Sequence, residues 1–118
     1  MLLQKYFETR FELIEKELEN ALSYETKYAP ELKKAIYEAV IPGGKRWRPL
    51  LLLSMFEMLT GFKKHRSLPD AVKAAAAIEL LHNGALIHDD MPGVMNRTQR
   101  RGQPALHIKY GNAIAILA

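Results

Sequence analysis

The 118-residue sequence has no cysteine, which excludes a disulfide framework, a thiolate nucleophile and Cys-ligated zinc and leaves the redox compartment unmarked. It also lacks any uninterrupted apolar run approaching the roughly 20 residues of a membrane span. The opening residues, MLLQKYFETRFELIEKEL, carry charges every few positions where a signal peptide needs an apolar block. The expectation is therefore a cytoplasmic chain with no transmembrane segment. Strand-length alternation, hairpin signals, internal repeats and low-complexity tracts are missing too, which argues against the β classes and repeat arrays. Acid is scarce in one region only. Residues 1–31 hold seven acids and four bases (−3), whereas residues 32–118 hold six acids and thirteen bases (+7). Such a balance suits nucleic acid, a membrane surface or a phosphorylated small molecule, and position decides among them.

What is present reads as helix throughout, in a chain long enough for one domain spanning 1–118 with its own core. Leu3, Phe7, Phe11, Ile14, Leu18 and Leu22 recur at three- and four-residue spacing, predicting a helix from about Leu3 to Tyr28. Pro30 suits the first turn of a second helix, whose face is Leu32, Ala35, Ile36, Ala39 and Val40 and whose end is Pro42-Gly43-Gly44. Pro49 opens a third helix, apolar nearly all round and so expected at the centre, with Gly61 closing it. After a basic loop over Phe62 to Arg66, Ser67 as N-cap with Pro69 and Asp70 starts a long fourth helix that Pro92-Gly93 stops near Met91. The polar loop NRTQRRGQP leads to a last apolar helix, ALHIKYGNAIAILA, whose apolar face needs cover from the core or another chain. The fold class is all-α, an antiparallel helical bundle.

The chemistry concentrates at the end of the fourth helix. Asp89 and Asp90 repel one another and lie at the negative end of the helix dipole. Glu79 is the nearest acid before them and none follows, so a neighbouring base or a metal must neutralise the pair. Mg²⁺ is suited, since it takes one or two carboxylates together with phosphate oxygens and water. The bases fall in two loops, Lys45, Arg46 and Arg48 in GGKRWRP and Arg97, Arg100 and Arg101 in NRTQRRGQP. Glycine lets backbone approach a phosphate, and arginine adds a bidentate fork. At about 100° per residue, His82, Ala85 and Asp89 share one helix face. Glycine inside a helix costs about 1 kcal/mol, so Asn83-Gly84-Ala85 makes room either for a ligand groove or for close helix packing.

Together these segments resemble the trans-prenyltransferases, the polyprenyl diphosphate synthase family that includes farnesyl and geranylgeranyl diphosphate synthases. The likeness rests on Gly43-Gly44-Lys45-Arg46-Trp47-Arg48-Pro49, Ile78-Glu79-Leu80-Leu81-His82, Leu86-Ile87-His88-Asp89-Asp90-Met91-Pro92 and Arg100-Arg101-Gly102-Gln103-Pro104, in that order and spacing. It covers nearly the whole chain, which corresponds to the N-terminal portion of a family member and to half of the isoprenoid synthase fold. The resemblance implies that Lys45, Arg48 and His82, with Arg101, contact the isopentenyl diphosphate. It implies further that Arg100 reaches the allylic diphosphate, that Asp89 and Asp90 hold Mg²⁺ bridged to it, and that Gly84 and Ala85 limit chain length. Two departures stand out. The third aspartate of the family's first acidic motif is replaced by Met95, followed by Asn96, Arg97 and Thr98, and the second acidic motif is absent from this sequence.

The half-complete acidic motif favours a protein that binds an isoprenoid lipid or prenyl diphosphate in an apolar groove without turnover, as a carrier. The alternative is a prenyltransferase active as an oligomer or as a fragment of a longer enzyme. A homodimer attracts because two copies would set two Asp89-Asp90 pairs across one cavity. A nucleic-acid-binding or purely structural bundle would leave the aspartate pair without a role, so no nucleic acid is expected.

Overall fold

A computed structural model describes residues 2–24, 27–62 and 65–118. Helix α1, Leu2–Leu22, buries Ile14, Leu18 and Leu22, while the earlier members of its apolar stripe are only partly covered, Leu3 remaining exposed. It ends at Leu22 rather than near Tyr28, and Glu25 and Thr26, which the longer helix would have included, lie outside the described residues. Helix α2, Pro30–Val40, has its proline in the first turn as the sequence indicates. Helix α3, Trp47–Leu59, starts two residues before Pro49, which sits where its missing N–H costs nothing. Lys63 and Lys64 of the basic loop lie outside the described residues. Helix α4, Leu68–Asp89, has Pro69 at its start, but Ser67 makes no side-chain capping bond.

These four helices enclose one core of Ile14, Leu18, Leu22, Val40, Leu50, Leu53, Val72 and the alanines 71, 75 and 76 of α4. Small alanines let α4 lie close to α1 and α3. The third helix is not central, contrary to its all-round apolar sequence. One side packs on the core through Leu50 and Leu53, while Leu51, Met55 and Met58 on the other side are more than half exposed. Its buried acid, Glu57, is satisfied by Tyr6 Oη at 2.5 Å and by the Arg10 guanidinium.

The loop after α4 contains an element the sequence conceals. Strands β1, Gln99–Arg100, and β2, Gln103–Pro104, pair antiparallel across Arg101 and Gly102, whose φ angles are 53° and 75°. Two consecutive left-handed residues are what a tight two-residue hairpin turn demands. An Arg-Gly centre and strands of two residues fall below any recognisable hairpin pattern. Helix α5, Leu106–Leu117, follows with a break at Gly111 (φ 82°, ψ 165°) and packs on α2 and α4. Among the described residues no helix is long and apolar enough to cross a membrane.

Candidate functional site

The site is built from the start of α3, the middle and end of α4, and the hairpin. The backbone of Arg46 is left-handed (φ 51°), which turns its side chain inward beneath the loop. There it is buried and donates to Glu15 at 2.6 Å, Glu79 at 3.0 Å and the carbonyl of Val40 at 2.7 Å. Arg46 was grouped with the basic loop, but it is a core ion pair tying α1, α2, α3 and α4 together. Its neighbours Lys45 and Arg48 face outward.

Arg48 Nη1 lies 3.1 Å from His82 Nε2. A guanidinium can only donate, so that nitrogen is the acceptor and the imidazole is neutral with its proton on Nδ1. Burial first and the charge of Arg48 next hold the His82 pKa below its ordinary value, Glu79 pulls the other way, and Arg101 and Arg100 add smaller downward contributions. One position along α4, buried Asn83 accepts from Arg101 Nη1 at 3.1 Å. The same guanidinium lies against Gly44, where a Cβ would sit 2.9 Å from Arg101 Nη2. Thus the GGKRWRP loop, α4 and the hairpin place Arg48, His82 and Arg101 around one spot. Lys45 lies elsewhere, on a hollow it lines with Phe7, Phe11 and Trp47.

At the end of α4 the two aspartates part company. Asp90 is buried, and Arg100 grips both its oxygens, Nε at 2.9 Å and Nη2 at 2.5 Å. The Asp90 hydrogen bond in turn raises the Arg100 pKa. Asp89 is exposed. Met95 also stands exposed in the turn that follows, its N–H donating to the Asp89 carbonyl at 3.0 Å, so it contributes no acid. Among the described residues no three acidic or histidine side chains converge as a metal site. With both Asp90 oxygens engaged, Asp89 is the carboxylate of the pair open to a cation, and Mg²⁺ fits here only in the company of a diphosphate that supplies further oxygens.

A hollow of about 300 Å³ lies behind this rim between α2, α4, the hairpin and α5, lined by Asn83, Leu86, Asp90, Arg100 and Arg101 among others. Gly84 and Ala85 are not on its wall. A Cβ on Gly84 would meet nothing within 4 Å, and Ala85 is exposed. Among the described residues nothing packs closely on Gly84, and the expected channel-lining pair stands on an open face of α4. Sequence reasoning assigned no ligand or positioning role to Asn83 or Glu79, although polar residues four apart on one helix can face each other.

Comparisons with known proteins identify the family. The chain matches the polyprenyl synthetase family model over residues 29–118. It is 44% identical over 87 residues to the geranylgeranyl diphosphate synthase of Saccharolobus solfataricus, covering 74% of this chain and 24% of the relative. To the farnesyl diphosphate synthase of Geobacillus stearothermophilus it is 48% identical over 88 residues, covering 75% of this chain and 28% of the relative. A crystal structure of an FPP/GFPP synthase from Zymomonas mobilis superimposes with a TM-score of 0.84 at 33% identity, over 98% of this chain and 40% of that one. The matched part of the chain thus spans about a quarter of the length of these curated relatives. The described helices are those of the all-α isoprenoid synthase fold. With its motifs, its fold and the family model in agreement, the chain belongs to the polyprenyl synthetase family.

Proposed function

We propose that this chain forms the diphosphate-binding, N-terminal part of a trans-prenyltransferase site, which condenses isopentenyl diphosphate with an allylic diphosphate once further acids are supplied. The observation that carries this reading is the convergence of Arg48, His82 and Arg101 from three segments that are far apart in sequence. Two guanidiniums and a histidine able to take up a proton suit the oxygens of the isopentenyl diphosphate. Asp89 would share Mg²⁺ with the allylic diphosphate, and that ion would supply charge stabilisation for the leaving group. Arg100, already neutralised by Asp90, orients the end of α4 and the hairpin rather than offering an unpaired charge. Lys45 would join only by swinging out of its own hollow.

The carrier reading is the weaker of the two. It draws on the half-complete acidic motif and on an apolar groove beside Gly84 and Ala85, and those two residues lie on an open face here. The relatives are named as synthases, which favours the transferase reading.

Calorimetric titration of the chain with isopentenyl diphosphate tests the assignment. Arg48→Ala and Arg101→Ala should each weaken binding about tenfold or more, the size expected for losing a hydrogen bond to a charged group. Asp89→Asn should abolish only the Mg²⁺-dependent part of the binding of an allylic diphosphate. A flat isotherm for the unaltered chain with isopentenyl diphosphate would overturn the reading.

A further inference from the structure

Arg100 and Arg101 are adjacent, yet their charges are treated in opposite ways. Arg100 is cancelled by a bidentate carboxylate, whereas among the described residues Arg101 has no acidic partner within 4.0 Å and is held by the neutral amide of Asn83. That amide is itself fixed. Its Nδ2 donates to the Glu79 carbonyl at 2.7 Å and to Glu79 Oε1 at 3.2 Å, so Oδ1 is the atom left to face the guanidinium. Glu79 is in turn anchored by Arg46, and Arg46 by Glu15 and the Val40 carbonyl. Asn83 is only 2% exposed and Glu79 likewise, so neither has room to reorient. On the far side of Arg101, the missing side chain of Gly44 leaves the space in which the guanidinium lies.

We propose that Asn83 is a positioning residue that aims Arg101 at a bound diphosphate while leaving its charge uncancelled, with the Glu15–Arg46–Glu79 relay fixing the amide. The ligand rests on the function proposed above, but the geometry does not. A carboxylate at the same position would hold the guanidinium equally well and would neutralise it, as Asp90 does to Arg100. An amide accepts the hydrogen bond and carries no charge. Burial and the nearby charges of Arg46 and Arg100 lower the Arg101 pKa, against an opposing pull from Glu79.

The test is a double-mutant cycle on the 118-residue chain with inorganic diphosphate as probe, read by calorimetry. Asn83→Ala and Arg101→Ala should each weaken binding about tenfold, and the double variant should be no weaker than Arg101→Ala alone. Full affinity in Asn83→Ala, or losses that simply add, would refute the positioning role. Gly44→Ala reaches the same guanidinium from the opposite side. It should also weaken binding, and because only the far end of a flexible side chain must move, it does so without harm to the fold. A second readout needs no ligand. Displacing Arg101 removes a charge that depresses His82, so an NMR titration of His82 should shift upward in Asn83→Ala and in Gly44→Ala, and an unchanged titration in both would defeat the proposal. A chain that ignores diphosphate yet shows those His82 shifts would retain the positioning role and lose the proposed function.

Discussion

His82 is the residue whose protonation the proposed diphosphate binding would change. In the free chain its Nε2 accepts from Arg48, and its pKa is held down by burial first and then by the surrounding arginines. A bound diphosphate favours the protonated ring, so binding raises that pKa and takes up a proton. Affinity should therefore climb as pH falls through the window between the raised pKa of the complex and the depressed pKa of the free chain, and this contribution should level off below it. Gln at this position keeps an acceptor for Arg48 without titrating. The wild-type chain should accordingly gain more affinity than His82→Gln over about pH 7 to 5, the ligand's own titration being common to both. Equal slopes would remove His82 from the ligand. In the absence of ligand the sign is also set: a folded pKa below the unfolded one makes stability fall as the solution is acidified through the ordinary histidine range.

Arg46 belongs to the same scale and shows what the sequence could not display. As one of three bases in a glycine-rich loop it looks like a ligand, because nothing in GGKRWRP tells which side chain a left-handed backbone will turn inward. The resemblance implies a diphosphate contact for Lys45 and Arg48 and none for Arg46, and the structure buries Arg46 and leaves Lys45 exposed beside Phe7, Phe11 and Trp47. Arg46→Met would leave Glu79 buried and uncompensated, at a cost of about 3 to 5 kcal/mol. Urea denaturation measures this, and Glu79→Gln in the same chain should recover part of the loss. If Arg46→Met left the midpoint where it was, the ion pair would have no structural weight.

At the scale of elements, the helices were legible because their signals are local and periodic. Spacing of three and four residues placed α1 and α2, capping and breaker residues placed α4, and proline and glycine punctuation ended α2, α3 and α4 within a residue or two, whereas α1 stops six residues before its expected end. What was illegible depended on partners. The all-round apolar pattern of α3 does not say that one side lacks a cover, and the hairpin is closed by two backbone conformations that its sequence barely signals. Order and spacing of motifs revealed Arg48, His82 and Arg101 as a group, but the split between Asp89 and Asp90 needed the position of Arg100. Gly84 carries the clearest prediction at this scale. Its neighbourhood is empty at the Cβ position and α4 is regular there, so Gly84→Ala should stabilise the chain by about 0.5 to 1 kcal/mol through helix propensity alone. Thermal unfolding reads this directly, and a loss of stability would mean that the open face is packed in solution.

For the molecule as a whole, that open face is the dominant fact. The chain measures 46 × 31 × 21 Å with a radius of gyration of 16.0 Å, where a compact domain of this length would have about 13 to 14 Å. A thickness of 21 Å is two helix layers at about 10 Å each. Such a slab has too little interior for its apolar residues, and Leu51, Met55 and Met58 on α3 and Leu81 on α4 stand 57 to 76% exposed. Ile116 and Leu117 of α5 are exposed in the same measure, as the apolar last helix led one to expect. In the Zymomonas mobilis structure more than half of the chain lies outside the matched part. In a solution of this chain alone, the cover on offer is a second copy. Sedimentation should therefore show a dimer or larger species at micromolar concentration, and Met55→Lys with Leu81→Lys should drive it toward monomer, since a charge buried in such a contact is costly. The same double variant should leave the thermal midpoint of the monomer nearly unchanged, because neither side chain is part of the core. A wild-type chain that sediments as monomer and binds no apolar dye would show that these residues are tolerated in water.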